Sequence, residues 1–302
     1  NFGLNGYARA TTPQLSARND LASASNAWAC GTSTATALPC MFSGLGKNDY
    51  EARKSNHENL LDVLDHAGLA VLWLDNQSGC KGVCDRVPSA STTTSPDPTW
   101  CKGGECLDPI MLEGLDARLA ALPEEKRARG TVLVLHQMGS HGPAYARRSA
   151  PELKKFTPEC HSNALQECSQ EEVVNAYDNS IVQTDAFLGA TLHWLEGKQA
   201  EFQPAMIYVA DHGESLGENN IYLHGLPYAI APDVQKHVPW ITWLSPAMQA
   251  RSGASTACLQ KEMATRRISQ DDYFHSVLGL LNVQTATYQA ANDLFAPCRA
   301  NG

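Results

Sequence analysis

The sequence predicts an α/β domain in which a mostly parallel central sheet is flanked by helices on both faces. Short apolar runs typical of buried strands alternate with longer segments whose apolar residues recur at helical spacing. A length of 302 residues is sufficient for one large domain with a substantial core, and no internal repeat is visible. We therefore expect residues 1–302 to form a single domain.

Each element follows from a local pattern. Apolar residues at helical spacing predict the helices, and Gly68 is placed to end the first of them. The stretch 88–104 is rich in Ser, Thr and Pro and is predicted to be a surface loop. The predicted helices cover residues 60–64, 108–122, 171–195 (expected to be the longest) and 271–281. The predicted strands cover residues 69–74, 132–135 (expected to be buried), 206–210 and 238–244.

Composition argues against two classes of partner. With 23 basic and 32 acidic residues, the chain carries a formal net charge of −9 and offers no basic surface for nucleic acid or anionic lipid headgroups. Its longest apolar runs fall far short of the roughly 20 residues that span a bilayer. We expect any attachment to a membrane to come from outside these residues.

Ten cysteines lie mostly in near pairs, which predicts disulfides and an oxidising compartment such as a bacterial periplasm. The alternative is structural zinc, which usually presents repeated C-x2-C pairs, and none occurs here. The sequence opens without a signal peptide, and we expect it to be part of a longer precursor. The pairs are Cys30 with Cys40, Cys80 with Cys84, Cys101 with Cys106 and Cys160 with Cys168, which leaves Cys258 and Cys298.

Polar residues follow three of the predicted strands. They lie at residues 75–82, at residues 136–143, and at Asp211 and His212, with His224 on a glycine-containing loop just beyond. Ligand sites in open α/β sheets gather at the carboxyl ends of strands, so we expect these groups to share one crevice. A carboxylate beside an imidazole, with a second imidazole nearby, suits a divalent metal that handles phosphate esters.

Residues 30–43 form a loop of small residues that runs into an apolar helical pattern, which predicts a helix N-terminus. A hydroxyl placed there faces unsatisfied backbone N–H groups, which favour both an alkoxide and a phosphoryl group. The alternative is an ordinary Ser/Thr helix cap. The presence of Asp211 and His212 favours the catalytic interpretation.

Four segments together resemble the lipid A phosphoethanolamine transferases, the family that includes the mobile colistin-resistance enzymes. The resemblance implies an alkaline-phosphatase-like (sulfatase-like) fold and zinc at the active site. It also implies a catalytic domain on the periplasmic face of the bacterial inner membrane, behind a transmembrane anchor absent from this sequence. Phosphatidylethanolamine would be the donor, lipid A phosphate the acceptor, and the protein a monomer. The segments are 30–34, 136–143, 175–179 and 211–225.

The resemblance also implies roles for individual residues. Thr34 would be both the nucleophile and a zinc ligand, through a covalent phosphoethanolamine-threonine intermediate. Asp211 and His212 would be zinc ligands. His141 and His224 would hold the transferred phosphoryl group, the acceptor phosphate or a second zinc, and one of them would act as general acid or base.

Four more residues are expected near the substrate. Lys81, Ser78 and Gln77 match the family's substrate-contacting loop. Glu214 is a substrate-binding candidate close to the metal, with two alternatives: a partner that orients His212, or an acid at a helix start. The family's first strand ends in a Gly-Glu-Thr motif whose glutamate binds zinc, and we expect that motif to stand ahead of residue 1.

Two other functions stay open at this point. A phosphodiesterase- or sulfatase-type hydrolase on the same fold would use water as the acceptor, but the Thr34 loop lacks the Cys-x-Pro-x-Arg pattern of a sulfatase nucleophile. The second alternative is a fragment without the glutamate ligand that binds headgroup or metal and does not turn over.

Overall fold

The computed structural model describes residues 1–299 and confirms the α/β class. The predicted strands and the helices at 60–64, 171–195 and 271–281 are found with small shifts of their ends. The strands are Leu21–Ala24 (β1), Ala27–Trp28 (β2), Ala70–Asp75 (β3), Ser89–Ser91 (β4), Cys101–Lys102 (β5), Glu105–Cys106 (β6), Thr131–His136 (β7), Ala205–Val209 (β8), Ser215–Leu216 (β9), Tyr222–Leu223 (β10), Trp240–Leu244 (β11) and Ile268–Ser269 (β12). The helices are Pro13–Ser16 (α1), Thr34–Met41 (α2), Lys47–Ala52 (α3), Leu60–His66 (α4), Leu115–Ala120 (α5), Glu124–Arg127 (α6), Gln170–Glu196 (α7), Pro246–Ser252 (α8), Thr256–Thr265 (α9) and Asp271–Leu281 (α10).

A parallel sheet in the order β4-β3-β7 carries the first half of the site. Its central strand, β3, is an unbroken apolar run that ends in Asp75, and all six of its residues are buried. In register, Asp75 lies opposite His136 of β7. The prediction of a surface loop over 88–104 is partly wrong, because β4 within it pairs with β3 as an edge strand. Its exposed serines hide this pairing from a hydropathy pattern.

An antiparallel sheet in the order β1-β11-β8 carries the second half of the site. The central strand, β11, is fully buried and rich in aromatic and β-branched residues, which pack well in a sheet interior. Strand β8 runs antiparallel to β11. Its carboxyl end at Val209 is followed by Ala210 and then by Asp211 and His212.

A slot separates the two sheets. Strand β7 pairs with β3 and β8 pairs with β11, so within residues 1–299 one edge of each strand faces the slot without a strand partner. The slot is a cavity of about 1200 Å³ lined by residues of both strands. The prediction of a strand at 132–135 is confirmed, but the prediction that this strand is buried is wrong. All residues of β7 are only half-buried, because one edge of the strand lines the slot.

Helix α7 has 27 residues and is the longest described helix, as predicted. It begins with a capping box in which Ser169 and Glu172 bond each other's backbone N–H groups. Its apolar stripe packs against the core beneath the sheets, with Ile181 and Leu188 buried there. The single helix predicted over 108–122 is wrong: a short 3-10 helix and α5 are separated by Gly114, whose φ of +63° breaks the helical path.

Five disulfides use all ten cysteines, and the predicted near pairs are confirmed. The fifth bridge joins the two remaining cysteines, Cys258 and Cys298, and ties α9 to the C-terminal segment. Among the helices of residues 1–299, none combines the length and the apolar character of a membrane span.

Candidate active site

Thr34 is the first residue of α2, as the small-residue loop predicts. Ser33 occupies the N-cap position in an extended conformation but makes no side-chain cap. The Thr36 N–H donates to the Ser33 carbonyl, whereas the Thr34 and Ala35 N–H groups at the helix start keep their capacity for an anion. The Cys30–Cys40 disulfide fixes the loop to the helix. At Gly31 a side chain would collide with Thr36 and the backbone of α2, which explains the glycine.

Asp211 and His212 lie opposite Thr34. The His212 Nε2 atom is 3.3 Å from the Thr34 Oγ1 atom and 3.7 Å from Asp211 Oδ2. The His212 Nδ1 atom lies 2.9 Å from the Gly213 carbonyl, which accepts its proton and leaves Nε2 with a free lone pair. The structure therefore brings together the three predicted metal ligands.

This trio contains an imidazole nitrogen and a carboxylate oxygen, two donor types that zinc binds. Asp211 Oδ2 is buried and has no hydrogen-bond donor among the residues that the structure describes. Burial acts to raise the pKa of Asp211, but the adjacent His212 imidazole leads the opposing effects and the pKa lies below its usual value. In a tetrahedral zinc site, ligand distances of about 2.0–2.1 Å place neighbouring ligand atoms about 3.3–3.4 Å apart. The separation from His212 Nε2 to Thr34 Oγ1 has that size at 3.3 Å, whereas the separation to Asp211 Oδ2 is longer at 3.7 Å.

Three imidazoles form a cluster beside this trio. The ring centroids of His212 and His224 are 4.2 Å apart, those of His141 and His224 are 4.9 Å apart, and those of His141 and His212 are 6.3 Å apart. Burial lowers the pKa of His141. Burial also acts to lower the pKa of His224, but the hydrogen bond and charge of Glu214 outweigh it and raise that pKa. The two neighbouring imidazoles therefore differ in their affinity for a proton, with the higher affinity at His224.

Glu214 connects the loop that carries His141 to the loop that carries His224. Its Oε1 atom accepts from the His224 Nδ1 at 3.0 Å and from the Gly142 N–H at 3.1 Å, and its Oε2 atom accepts from the Tyr145 hydroxyl at 3.1 Å. Among the alternatives for this residue, a partner that orients an imidazole agrees with the geometry, but the imidazole is His224 and not His212. Its role in binding substrate stays a prediction, and both carboxylate oxygens are already engaged.

The predicted substrate loop lies against Thr34. The Gln77 Nε2 atom donates to the Thr34 Oγ1 atom at 3.2 Å, and Gln77 Oε1 accepts from the Ser78 hydroxyl at 2.6 Å. The Lys81 Nζ atom donates to Ser78 Oγ at 2.8 Å. The Cys80–Cys84 bridge closes this loop. A chain of polar contacts therefore leads from the threonine to a lysine at the mouth of the site.

Other residues of the site were missed at the level of sequence. Asp75 and His136 were expected only as polar residues near strand ends, but the parallel register pairs the Asp75 Oδ1 atom with the His136 Nδ1 atom at 2.6 Å. Tyr145 and Gln270 had no signal at all. Each acts through a hydrogen bond to a residue remote in sequence, which no local pattern records.

The fold and this site define an α/β enzyme of the alkaline-phosphatase type, with a threonine at a helix N-terminus facing an aspartate-histidine pair. The chain belongs to the sulfatase family, whose sequence profile matches residues 1–283. This confirms the fold that the motif resemblance implies.

Comparison with individual proteins confirms the resemblance to phosphoethanolamine transferases. The chain is 46% identical over 299 residues to phosphoethanolamine transferase EptA of Salmonella typhimurium, covering 99% of this chain and 54% of that protein. It is 44% identical over 247 residues to phosphatidylethanolamine transferase Mcr-1 of Escherichia coli, covering 80% of this chain and 45% of that protein. The chain thus spans about half the length of these relatives.

Among solved structures, the chain is similar to the soluble domain of lipooligosaccharide phosphoethanolamine transferase A from Neisseria meningitidis. The TM-score is 0.93 at 43% sequence identity, and the match covers 99% of this chain and 89% of that domain. The fold described above therefore extends over most of that soluble domain.

Proposed function

We propose that this domain transfers phosphoethanolamine from phosphatidylethanolamine to a lipid A phosphate, with zinc, through a covalent intermediate on Thr34. The observation that carries the proposal is the convergence of Thr34 Oγ1, His212 Nε2 and the unpartnered Asp211 Oδ2. The relatives EptA and Mcr-1, a phosphoethanolamine transferase and a phosphatidylethanolamine transferase, support this chemistry. The products would be diacylglycerol and a modified lipid A that binds cationic polymyxins such as colistin less well.

Zinc, when bound by Thr34, Asp211 and His212, would lower the pKa of the threonine hydroxyl and balance charge on the transferred phosphoryl group. The protein supplies the remaining parts. Gln77 orients the Thr34 oxygen, and the N-terminus of α2 faces the phosphoryl oxygens.

The two histidines account for the protons. In the first half-reaction an O–P bond forms to Thr34 while the bond from phosphorus to the diacylglycerol oxygen breaks. We assign the proton of the threonine hydroxyl to His141, whose pKa is lowered, and the proton for the diacylglycerol oxygen to His224, whose pKa is raised. In the second half-reaction the acceptor phosphate loses its proton to His224 and attacks phosphorus, and Thr34 regains its proton from His141. Both imidazoles then return to their starting states.

The resemblance implies one further zinc ligand, a glutamate at the end of a strand. The slot between β7 and β8 supports this part of the proposal, because both flanking strands present backbone edges that an extended segment can pair with. Its opening at the carboxyl ends of the strands lies beside His136 and Asp211, where a carboxylate would join the proposed metal site.

The five disulfides agree with a periplasmic location, because such bridges persist in oxidising compartments. We propose that the domain works on the periplasmic face of the inner membrane, where donor and acceptor lipids are both within reach. A monomer is sufficient for the proposed site, since every proposed catalytic group lies on one chain.

Replacement of Thr34 tests the proposal. The protein is loaded with zinc and incubated with a fluorescent phosphatidylethanolamine analogue, without and then with lipid A. Wild type should release diacylglycerol once in a burst and carry the modification on the Thr34 peptide by mass spectrometry; lipid A should then remove it. Thr34→Ala should show neither step, whereas Thr36→Ala, a control on the exposed side of the same helix turn, should behave as wild type. Transfer by Thr34→Ala would refute the nucleophile.

The same assay separates the hydrolase alternative. A transferase stops after one turnover when no acceptor is present, whereas a hydrolase continues to release diacylglycerol with water as acceptor. Chelation of zinc before the assay should abolish the burst, and addition of zinc should restore it. Sustained turnover without lipid A would overturn the transferase proposal in favour of the hydrolase. Zinc binding without any burst would favour a domain that only binds.

A further inference from the structure

We infer that Gln270 is a positioning residue that holds the nucleophile loop at a fixed distance from the proposed metal ligands; this inference rests on the proposed function. The Gln270 Oε1 atom accepts from the Cys30 N–H at 2.6 Å, four residues before Thr34. Its Nε2 atom donates to the carbonyl oxygens of Ala210 and Asp211, each at 2.9 Å. One side chain thus bridges the two segments that carry the reacting hydroxyl and the metal-binding carboxylate.

The amide is matched to its partners. It has one acceptor and two donors, and it faces one backbone donor and two backbone acceptors. Gln270 is 1% exposed, so water cannot replace these bonds. A glutamate of the same shape would set a carboxylate against the Ala210 and Asp211 carbonyls. An asparagine would be one methylene too short to reach both sides.

The fold holds the backbone of Gln270 as firmly as its side chain. Strand β12 pairs in parallel with β2, and the Gln270 N–H continues this ladder by donating to the Trp28 carbonyl at 2.9 Å. Residue 270 also directly precedes α10. The C-terminal part of the chain thereby reaches under the active site and fixes the loop that begins at Cys30.

Backbone contacts also connect the two segments indirectly: the Ala29 N–H donates to the Lys236 carbonyl at 2.7 Å, and the Ala210 N–H donates to the Pro239 carbonyl at 3.3 Å. Gln270 differs from these contacts because one side chain bonds both segments directly.

Between residues 30–34 and residues 210–212, direct polar contact is made by the Thr34 hydroxyl, which lies 3.3 Å from His212 Nε2 and also beside the Asp211 carboxylate. Without the Gln270 bridge, this side chain would no longer fix the distance between the Thr34 hydroxyl and the His212 imidazole. Metal binding and in-line attack by Thr34 both depend on sub-ångström placement of the reacting groups. We therefore expect loss of the bridge to lower kcat and zinc affinity, with little change in KM.

Gln270→Met tests the inference, because methionine keeps the volume and removes all three hydrogen bonds. We expect kcat to fall roughly 10- to 100-fold, the zinc Kd to rise by about the same order, and KM to stay within about twofold. The Cys30 amide should exchange faster with solvent deuterium. The matched control is Gln183→Met, since buried Gln183 on α7 accepts from the Ala150 N–H outside the site. It should lower the free energy of unfolding without changing zinc affinity, kcat or Cys30 exchange.

Several outcomes decide the matter. Faster Cys30 exchange together with unchanged kcat and zinc affinity would make Gln270 a purely structural residue and overturn the inference. If Gln270→Met does not fold, Gln270→Asn keeps the amide and serves as the second variant, with the same changes expected. If wild type binds zinc but transfers nothing, the proposed function fails, while the zinc Kd of the Gln270 variants still decides whether this side chain positions the ligands.

Discussion

Replacing Glu214 by glutamine would remove the negative charge that faces His224 while keeping the shape of the side chain. Glu214 accepts three hydrogen bonds, from the His224 imidazole, the Gly142 N–H and the Tyr145 hydroxyl, and its side chain is 5% exposed. The pKa of His224 is raised because this carboxylate outweighs the effect of burial. Without the charge, burial should lower that pKa, and less of the imidazole would carry the proton that the diacylglycerol oxygen needs.

The magnitude follows from the three bonds. A hydrogen bond to a charged group contributes about 1.5–3 kcal/mol to stability and a neutral one about 0.5–1.5 kcal/mol, a difference of about 1 kcal/mol for each bond. Glu214→Gln should therefore lower the free energy of unfolding by about 2–3 kcal/mol. Because general acid catalysis contributes about 10²–10⁴-fold and the glutamine keeps His224 partly oriented, we expect kcat to fall about 10- to 100-fold.

Urea unfolding and the fluorescent-lipid assay measure the two effects separately. Glu159→Gln is the matched control, because the Glu159 side chain is also 5% exposed and bonds Lys154 and Asn179 outside the site. The control should lose comparable stability and keep its kcat. A Glu214→Gln protein that turns over within twofold of wild type would show that the charge of Glu214 does not support His224.

Two predictions concern stability. Replacing Cys258 and Cys298 by serine opens a bridge with a sequence separation of 40 and should lower the free energy of unfolding by about 4 kcal/mol through chain entropy. The same change at Cys80 and Cys84, with a separation of 4, should lower it by about 2 kcal/mol. Equal losses for the two bridges in urea unfolding would contradict this chain-entropy model. Burial acts to raise the pKa of Asp62, but its arginine partner and a backbone N–H outweigh burial and lower it. The ionised Asp62 carboxylate therefore contributes fully to the free energy of unfolding above its unfolded-state pKa of about 3.9, and this contribution disappears as the pH falls through the folded-state pKa. In urea unfolding at a series of pH values, Asp62→Asn should lose less stability below pH ~4 than wild type does.

Local patterns were sufficient for the elements that depend on neighbouring residues. The 27-residue α7 follows from apolar spacing, and α10 has the predicted bounds. The near cysteine pairs were predicted from spacing, because a short loop can close on itself whatever the rest of the chain does. The Asp211–His212 pair was visible because a strand end followed by acid, imidazole and glycine is itself a local signal.

Several features had no such signal. The edge strand β4 forms because β3 offers it a partner. The half-burial of β7 depends on the slot beside β8, which is set by how two sheets are placed. Competing tertiary contacts override local preference in each case.

The sequence by itself determined which chemical groups this protein has, where most helices and strands lie, and that its cysteines pair. Tertiary structure alone decided the partner of Glu214, the pairing of Asp75 with His136, and the bridge from Gln270 to Cys30. The physical reason is the range of the interactions. Helical periodicity and short loops act over a few residues, whereas the contact from Gln270 to Cys30 spans 240 residues and exists only after the chain has folded.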